Sequence, residues 1–341
     1  MSLALGTFLS ANRPDHLDQP GSHPLHVVFG DRLRENVSLG RYTAARVGGV
    51  ADALLEVVSS EELVQACRLL WQQDLPFVIL GGGSNVLVSD AGWRGVVLIN
   101  RARDIAFNET AQPPTIWVES GANFGGLARQ AAGRGLSGLE WAAGIPGTVG
   151  GAVVGNAGAH GSDMAGNLLV AEILHRERGR EQWSVDDLGY KYRSSLLKAP
   201  AQAGGGSSKL PSRSPEIVVL AALLRLEQSD PATVQERIDE YVTHRRRTQP
   251  PGASMGSMFK NPPGDFAGRL IEAAGLKGTR IGDAEISNLH ANFFINSGNA
   301  SALDIYRLIQ LARQKVAEKF AVELELEVEL VGDWDVPGNN Y

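Results

Sequence analysis

Residues 256–262, which read GSMFKNP, hold three side chains that could do chemistry within a short span. Ser257 offers a hydroxyl that could donate a proton, Lys260 a positive charge and Asn261 an amide. Glycine and proline interrupt the segment, so it is not predicted to form part of a core. We therefore expect these side chains to face a small molecule that is presented to them.

A second segment, Gly81-Gly82-Gly83-Ser84-Asn85, directly follows a predicted buried strand. Glycines at such a place let backbone N–H groups approach an anion closely. The segment lacks the Lys-Ser/Thr ending of a nucleotide P-loop and the last glycine of the Gly-x-Gly-x-x-Gly dinucleotide pattern. Taken alone, it is explained equally well by a tight structural turn and by a phosphate cradle.

A longer glycine tract covers residues 144–161. Each glycine costs about 0.5–1 kcal/mol inside a regular element, so a dense tract favours a flat ligand that lies against bare backbone. One short and one long tract together suit a cofactor that has both a pyrophosphate and a broad ring system. The residues singled out in the long tract are Gly144, Pro146, Gly147, Thr148, Gly150, Gly151, Ala152, Asn156 and Gly158.

The elements that must position these groups follow from periodicity and breakers. Strand and helix patterns alternate before the first tract, as in α/β units. Residues 1–22 lack periodicity and are predicted to be a mobile tail, and residues 199–213 are predicted to be a low-complexity surface loop. Residues 322–330 alternate strictly and predict a strand with one apolar and one acidic face.

Composition limits the class of protein. The chain has 341 residues, a formal net charge of −6 and 43% hydrophobic residues, which offers no basic field for nucleic acid or for an anionic membrane. We expect no membrane span and no export signal, and hence a cytoplasmic protein. The single cysteine, Cys67, is predicted to be buried filler. The run at 245–247 (RRR) is predicted to be a solvated helix end, with a local anion contact as the alternative.

An ordered set of motifs resembles the UDP-N-acetylenolpyruvoylglucosamine reductases, flavoenzymes that complete UDP-N-acetylmuramate in peptidoglycan synthesis. The resemblance runs from about residue 42 to residue 332. The motifs are GGGSN at 81–85, GIPGTVGGA at 144–152, NAG at 156–158, YRxS at 192–195, GSxFKNP at 256–262, GLKG at 275–278 and LExEV at 324–328.

The resemblance implies an α+β fold of the vanillyl-alcohol-oxidase type, with two α+β subdomains around FAD and a C-terminal α+β substrate domain. We place these at 23–96, 97–228 and 229–341. It also implies that the glycine tracts hold FAD non-covalently and that NADPH is the reductant. His160 is the one candidate for a covalent flavin link, and a monomer is expected.

The resemblance assigns catalysis to three residues, Ser257, Arg193 and Glu327. In the implied reaction the flavin delivers hydride to C3 of the enolpyruvyl group, and negative charge develops as an enolate. Arg193 would stabilise that charge, Ser257 would protonate C2 and Glu327 would orient the enolate while carrying a proton. Without the resemblance, a turn residue, a surface charge and a solvated acidic face explain the three positions.

The substrate contacts implied are Lys260, Asn261, Tyr192 and Asn292, and the substrate is a UDP-sugar enolpyruvyl ether. His290 is expected to be structural, and no pair of histidines has metal-ligand spacing. The spacing after residue 262 matches the shorter branch of the family, so the group that closes the site is left open.

Two alternatives stand beside this interpretation. Another FAD oxidoreductase of the same superfamily is disfavoured, because an oxidase needs a base rather than a proton donor aimed at carbon. A non-catalytic UDP-sugar or flavin-binding regulator would allow NADPH to reduce the flavin without turnover of the enolpyruvyl substrate.

Overall fold

The structure is a computed structural model that describes residues 24–198 and 214–334. The predicted tail at 1–22 and the predicted loop at 199–213 lie outside the described residues. The described helices are α1 (Pro24–Phe29), α2 (Ser60–Gln72), α3 (Phe124–Ala132), α4 (Val149–Gly155), α5 (Met164–Asn167), α6 (Val185–Leu188), α7 (Pro231–Thr248), α8 (Ala267–Ala273) and α9 (Ala302–Phe320).

Strands form several sheets, and their bounds in chain order are as follows. They are β1 (Leu33–Ser38), β2 (Val50–Val57), β3 (Phe77–Leu80), β4 (Val86–Val88), β5 (Trp93–Asn100), β6 (Ile105–Asn108), β7 (Thr115–Glu119), β8 (Leu136–Ser137), β9 (Gly158–Ala159), β10 (Ser162–Asp163), β11 (Leu168–His175), β12 (Gly179–Trp183), β13 (Ile217–Arg225), β14 (Glu227–Gln228), β15 (Ala253–Ser257), β16 (Arg280–Ile281), β17 (Ala284–Ile286), β18 (Phe293–Asn296) and β19 (Glu329–Val331).

The first sheet has the order β1-β2-β5-β3, with β2, β5 and β3 parallel and β1 antiparallel. Helix α2 connects β2 to β3, which run parallel on either side of β5, and a parallel connection of this kind needs a crossover. It begins at Ser59, whose hydroxyl accepts a hydrogen bond from the Glu62 N–H at 3.2 Å. Its apolar face, which includes Leu63, Cys67 and Leu70, is fully buried. The position of Cys67 agrees with the expectation of buried filler.

The second sheet is antiparallel, in the order β12-β11-β13-β7-β6. Helices α3 and α4 share its core, in which the rings of Phe124 and Trp141 meet edge to face at 5.3 Å. The predicted subdomain boundary at residue 96 falls inside β5, which belongs wholly to the first sheet. That boundary is therefore misplaced, because an uninterrupted run of apolar residues continues the strand to Asn100.

The third sheet is antiparallel, in the order β15-β18-β17-β16, and packs against α8 and α9. Helix α9 begins with a capping box, in which Ser301 and Asp304 each accept a hydrogen bond from the other's backbone N–H. Leu308, Ile309 and Ala312 bury its inner face completely. This sheet carries Ser257 at the end of β15.

The C-terminal segment differs from the strict strand predicted for 322–330. Regular pairing occurs in β19, which runs parallel to β4, and in an isolated bridge between Leu326 and Phe259. Between them the chain bends at residues 327–328. The two ends of the segment pair with different partners. Leu326 pairs with Phe259, just after β15, whereas β19 pairs with β4. Alternation in the sequence does not reveal such a bend.

Candidate active site

The backbones of two predicted site segments lie side by side. The Glu327 N–H donates to the carbonyl oxygen of Met258 at 2.9 Å, and the Lys260 N–H donates to that of Glu325 at 2.9 Å. Ser257 precedes Met258 directly. Lys260 and Glu325 are 65 residues apart in the chain. The motifs that contain them, at 256–262 and 324–328, thus form one local structure.

The bend at 327–328 removes Glu327 from the acidic face predicted for this segment. Glu323, Glu325 and Glu329 are exposed, whereas the side chain of Glu327 is 18% exposed. Asn85 holds the bend in place: its Nδ2 donates to the Glu327 carbonyl oxygen at 3.1 Å, and its own carbonyl oxygen accepts from the Glu329 N–H at 3.0 Å. The glycine segment at 81–85 is therefore tied directly to the backbone of Glu327.

Arg193 reaches the same place from the second subdomain. Its Nε lies 2.9 Å from Oε1 of Glu327, but the N–H is not aimed at the carboxylate, so the contact is an ion pair and not a well-formed hydrogen bond. Its Nη2 donates to the carbonyl oxygen of Gly158 at 2.7 Å. The backbone of Arg193 has φ +55°, in the left-handed region. Such strain in a non-glycine residue is found most often where a side chain must be aimed.

The charge of Glu327 is set by opposing effects. Burial raises the pKa of its carboxyl above the usual range, although Arg193, Lys198 and Lys260 act to lower it. Desolvation prevails over the nearby cations, so the protonated form of Glu327 is favoured relative to a glutamate in water. This direction agrees with the proton that the implied chemistry requires there.

The hydroxyl of Ser257 makes no hydrogen bond to any of the described residues. Strand β15 pairs with β18 through Ser254 and Ser257 but is irregular between them, and Gly256 there has φ +78°. An irregularity of this kind re-aims the next side chain. Ser257 is half-buried, so its hydroxyl has both access to a ligand and an unused proton.

The two glycine tracts pack directly against each other. A Cβ at Gly81 would lie 2.3 Å from Oγ1 of Thr148, and one at Gly82 would lie 3.3 Å from Cα of Gly147. The Ser84 hydroxyl donates to the carbonyl oxygen of Pro146 at 3.2 Å. Only glycine fits at Gly81, and the reason is contact between the tracts. The tracts thus form one structure contributed by two sheets.

Unused backbone donors remain at this junction. Within the described residues, the N–H groups of Gly82, Gly83, Ser84 and Gly147 donate no hydrogen bond, and Gly83 is a buried residue. A buried backbone N–H such as that of Gly83 needs an acceptor, and neighbouring unused N–H groups can bind an anion. The junction therefore fits the phosphates of a dinucleotide cofactor.

The remaining residues of the long tract have structural tasks. Thr148 caps α4 through the Gly151 N–H, and Ala152 is buried in that helix. Asn156 ends α4 in the left-handed region, with φ +43°. Its amide donates to Asp163 and to the carbonyl oxygen of Lys191 and accepts from the Ala165 N–H. Gly150 packs against Ser120, where a Cβ would lie 2.9 Å from that of Ser120.

The predicted substrate contacts divide into two groups. Lys260 lies beside the site and forms an ion pair with Glu325, and Tyr192 is 56% exposed next to Arg193. Asn261, by contrast, uses its Oδ1 to accept from the Ala267 N–H at the start of α8.

Asn292 is buried, and its amide bridges both backbone groups of Phe259, accepting from the N–H at 2.9 Å and donating to the carbonyl oxygen at 2.8 Å. Its side chain is buried and engaged at both the oxygen and the nitrogen, so the geometry favours a structural role over a substrate contact. His290 accepts from the Asn292 N–H, in agreement with its predicted structural role.

Arg245 is a site residue that the sequence did not reveal. The run at 245–247 is not uniformly solvated: Arg246 and Arg247 are exposed, but Arg245 packs against Gly144, where a Cβ would lie 2.5 Å from its Cδ. Burial, and then the charge of Arg193, lowers the pKa of Arg245. Which of three adjacent arginines turns inward depends on the phase of α7, and the composition of the run contains no signal for it.

His160 stacks on Tyr241 of α7, with ring centroids 4.0 Å apart and planes 8° apart, and His244 meets it edge-on at 5.7 Å. Partial burial, and then the positive charges of His244 and Arg245, lowers the pKa of His160. Its ring is thus engaged with α7.

No helix among residues 24–198 and 214–334 is long and apolar enough to cross a membrane.

Comparison with known proteins defines the class first. Residues 51–179 match the family model described as "FAD binding domain". The solved structure of UDP-N-acetylenolpyruvylglucosamine reductase from Thermus caldophilus is similar, with a TM-score of 0.71 and 36% identity over 88% of this chain and all of that chain. The predicted α+β fold class of an FAD-binding protein is therefore confirmed.

The family follows from closer relatives. Residues 248–331 match the C-terminal domain of UDP-N-acetylenolpyruvoylglucosamine reductase. The chain is 46% identical over 299 residues to the reductase of that name from Chloroflexus aggregans, covering 88% of this chain and 97% of the relative. It is 47% identical over 295 residues to that from Rubrobacter xylanophilus, covering 86% and 94%. The chain belongs to the UDP-N-acetylenolpyruvoylglucosamine reductase family.

Proposed function

We propose that this protein reduces UDP-N-acetylglucosamine enolpyruvate to UDP-N-acetylmuramate, a step of peptidoglycan precursor synthesis, with FAD as cofactor and NADPH as reductant. One observation carries the proposal beyond family membership. The Arg193 guanidinium lies next to the Glu327 carboxyl. The backbone N–H of Glu327 donates a hydrogen bond to the carbonyl oxygen of Met258, the residue after Ser257. A cation, a carboxyl that favours its proton and a free hydroxyl thus come together from three distant segments.

The cofactor supplies hydride to C3 of the enolpyruvyl group, and the chain handles the charge and the proton that follow. Arg193 stabilises the negative charge of the enolate, because its guanidinium is always charged and is held in place by Gly158. Ser257 donates its proton to C2, because its hydroxyl makes no competing hydrogen bond to a described residue.

Glu327 completes the group as a neutral carboxylic acid. An ionised carboxylate next to a developing enolate would repel it, whereas a protonated one can donate a hydrogen bond to it. The burial that raises the pKa of Glu327 favours the protonated form.

The binding roles follow the same geometry. The N–H groups of Gly82, Gly83, Ser84 and Gly147 hold the FAD phosphates, and the flavin is bound without a covalent link. The other residues of the two tracts line and shape the same cofactor site. Lys260 and Tyr192 contact the substrate. We propose that the protein works in the cytoplasm and that it is a monomer. Sedimentation of the holoprotein tests the oligomeric state.

The experiment separates the two half-reactions by stopped-flow absorbance. Ser257→Ala should leave bleaching of the flavin by NADPH nearly intact and slow reoxidation by the enolpyruvyl substrate by about 10²–10⁴-fold, the usual contribution of a general acid. Ser257→Cys, which can also donate a proton, should lose much less. Ser254→Ala, on the same strand, is the matched control. Equal slowing of both half-reactions in Ser257→Ala would show a binding or structural role instead.

A further inference from the structure

Three alternate glutamates in the C-terminal segment each lie next to a different cation. Glu325 pairs with Lys260, Glu327 with Arg193 and Glu329 with Lys198. The cations come from two segments of the chain, Arg193 and Lys198 from one and Lys260 from the other, whereas the carboxylates lie within five residues. Two of these pairs involve residues already given a role in binding or catalysis. The third, Lys198 with Glu329, has none.

Lys198 is placed unlike a surface lysine. Its side chain is 15% exposed, and its Nζ lies 3.5 Å from Oε1 of Glu329, whose side chain is 47% exposed. A half-exposed ion pair contributes little to stability, typically well under 1 kcal/mol. Burying most of a lysine for such a small gain calls for another explanation. The position of the pair supplies it, because Glu329 is the first residue of β19, immediately after the bend that carries Glu327.

We propose that Lys198 is a positioning residue for Glu327, acting in two ways that rest on the proposed role of that carboxyl. Through Glu329 it fixes the far end of the bend at 327–328, where Asn85 fixes the backbone. Through its charge it sets how firmly Glu327 holds its proton. Lys198 follows the Tyr-Arg-x-Ser motif by three residues, so one segment brings both Arg193 and Lys198 to the site.

The electrostatic part has a definite sign. The charged groups around Glu327 are Arg193, Lys198 and Lys260, together with Glu325 and Glu329 on its own segment and Arg245 beyond Arg193. Burial raises the pKa of Glu327, and the charge of Lys198 lowers it. Removing the positive charge of Lys198 therefore raises that pKa further. Removing the negative charge of Glu329 lowers it.

The test compares Lys198→Met with Glu329→Gln, which break the same ion pair but change the charge in opposite directions. The measurement is the pH dependence of reoxidation of the reduced enzyme by UDP-N-acetylglucosamine enolpyruvate. The alkaline limb should move up by about 0.5–1 unit in Lys198→Met and down by a similar amount in Glu329→Gln, less than a directly contacting charge causes. Lys191→Met, an exposed lysine of the same segment, should not move it.

A second measurement does not depend on turnover. The pH dependence of the free energy of unfolding also reports the proton on Glu327, and it too should differ in opposite directions between the two variants. In a Glu327→Gln background the part of each difference that comes from Glu327 should disappear, and only the part that comes from Glu329 itself should remain. Shifts in the same direction in both variants, or shifts that are undiminished without Glu327, would overturn the proposal. If the enolpyruvyl substrate fails to reoxidise even the unmodified enzyme, the proposed function fails while the unfolding measurement still decides the role of Lys198.

Discussion

At the scale of single residues, the site is defined by side chains that make fewer favourable contacts than they could. Glu327 is largely removed from water, Arg193 has a left-handed backbone and the Ser257 hydroxyl lacks a partner among the described residues. Each arrangement reduces stability and is retained at one place in the fold. Strain and desolvation concentrated in this way are typical of groups that act on a ligand.

Glu327 should make the stability of the folded protein depend on pH. Because its pKa is raised on folding, it contributes stability at pH values below the pKa of the unfolded chain, and that contribution is lost as the pH rises through the folded pKa. Glu327→Gln should therefore gain stability relative to the unmodified protein as the pH rises above the pKa of a glutamate in the unfolded chain, and the gain should level off above the folded pKa. The gain should be about 1.4 kcal/mol for each unit by which folding raises the pKa. Urea unfolding across this pH range measures it, and Glu323→Gln, an exposed position, should show no such trend.

Arg193→Lys tests whether the fork of the guanidinium matters beyond its charge. A lysine ammonium is a compact charge on a flexible stem and cannot span Gly158 and Glu327 as the guanidinium does. Reoxidation by the substrate should slow by about 10²–10³-fold, as on loss of one aligned donor at a developing oxyanion. Flavin reduction by NADPH should be nearly unchanged. Arg246→Lys on α7 is the control, and equal rates in the two variants would exclude this role for Arg193.

The sequence identified the three residues proposed for catalysis through motifs, but it did not identify their partners. Motifs place Ser257, Arg193 and Glu327 as types, because their chemistry limits the choice of side chain. No motif marks Lys198 or Arg245 in the sequence, and only tertiary packing removes them from water. Asn292 shows the converse, since an amide close to a motif bonds to the backbone of Phe259 in the structure.

At the scale of elements, helices were predictable where local signals agree with packing. At α9, the capping residue Ser301 precedes a helix whose apolar residues recur on one buried face, so local signals and packing agree. Gly275, with φ +80°, follows α8 and suits its end, because glycine tolerates the left-handed region. The C-terminal strand was predicted less well, because an alternating pattern is equally compatible with a straight strand and with two short pairings joined by a bend.

The contact between the glycine tracts predicts opposite effects of the same substitution at two positions. Gly81→Ala places a methyl group 2.3 Å from the Thr148 hydroxyl and should destabilise the protein by about 1–3 kcal/mol, as overpacking does. It should also release flavin by moving the tracts apart. Gly155→Ala, at the end of α4 with nothing within 4 Å, should be neutral or stabilise by about 0.4–1 kcal/mol.

The measurements are the urea midpoint and the flavin absorbance per chain after gel filtration. Normal flavin content and stability in Gly81→Ala would mean that the tracts can separate without cost, contrary to this account.

At the scale of the whole molecule, the two glycine tracts that we propose hold the cofactor join parts of the fold that have separate cores. The short tract follows β3 of the first sheet, and the long tract packs in the core of the second sheet. Strand β4, just after the short tract, pairs with β19, which follows the third sheet in the chain. The division into three domains rests on motif order and stays a prediction. The way in which the sheets meet could not be predicted from the sequence, because it depends on packing between residues far apart in the chain.

Flavin should leave the protein intact on denaturation. The N–H groups at the junction of the tracts offer hydrogen bonds and no nucleophile, and His160 is stacked on Tyr241. Acid precipitation should therefore release all the flavin as FAD into the supernatant, identified by chromatography and absorbance. Flavin that stays on the precipitated chain would point to a covalent link, with His160 the first position to replace.

The hydrogen bond between Asn85 and Glu327 spans 242 residues of chain. A ribosome that makes this protein releases the glycine segment long before the segment that Asn85 must hold, and β19, the partner of β4, follows later still. Most of the core and both glycine tracts can thus assemble before Glu327 has been made. A chain that ends near residue 320 would retain both glycine tracts and lack the Glu327 carboxyl. The amount of bound flavin in a cell extract therefore does not by itself measure the number of full-length molecules.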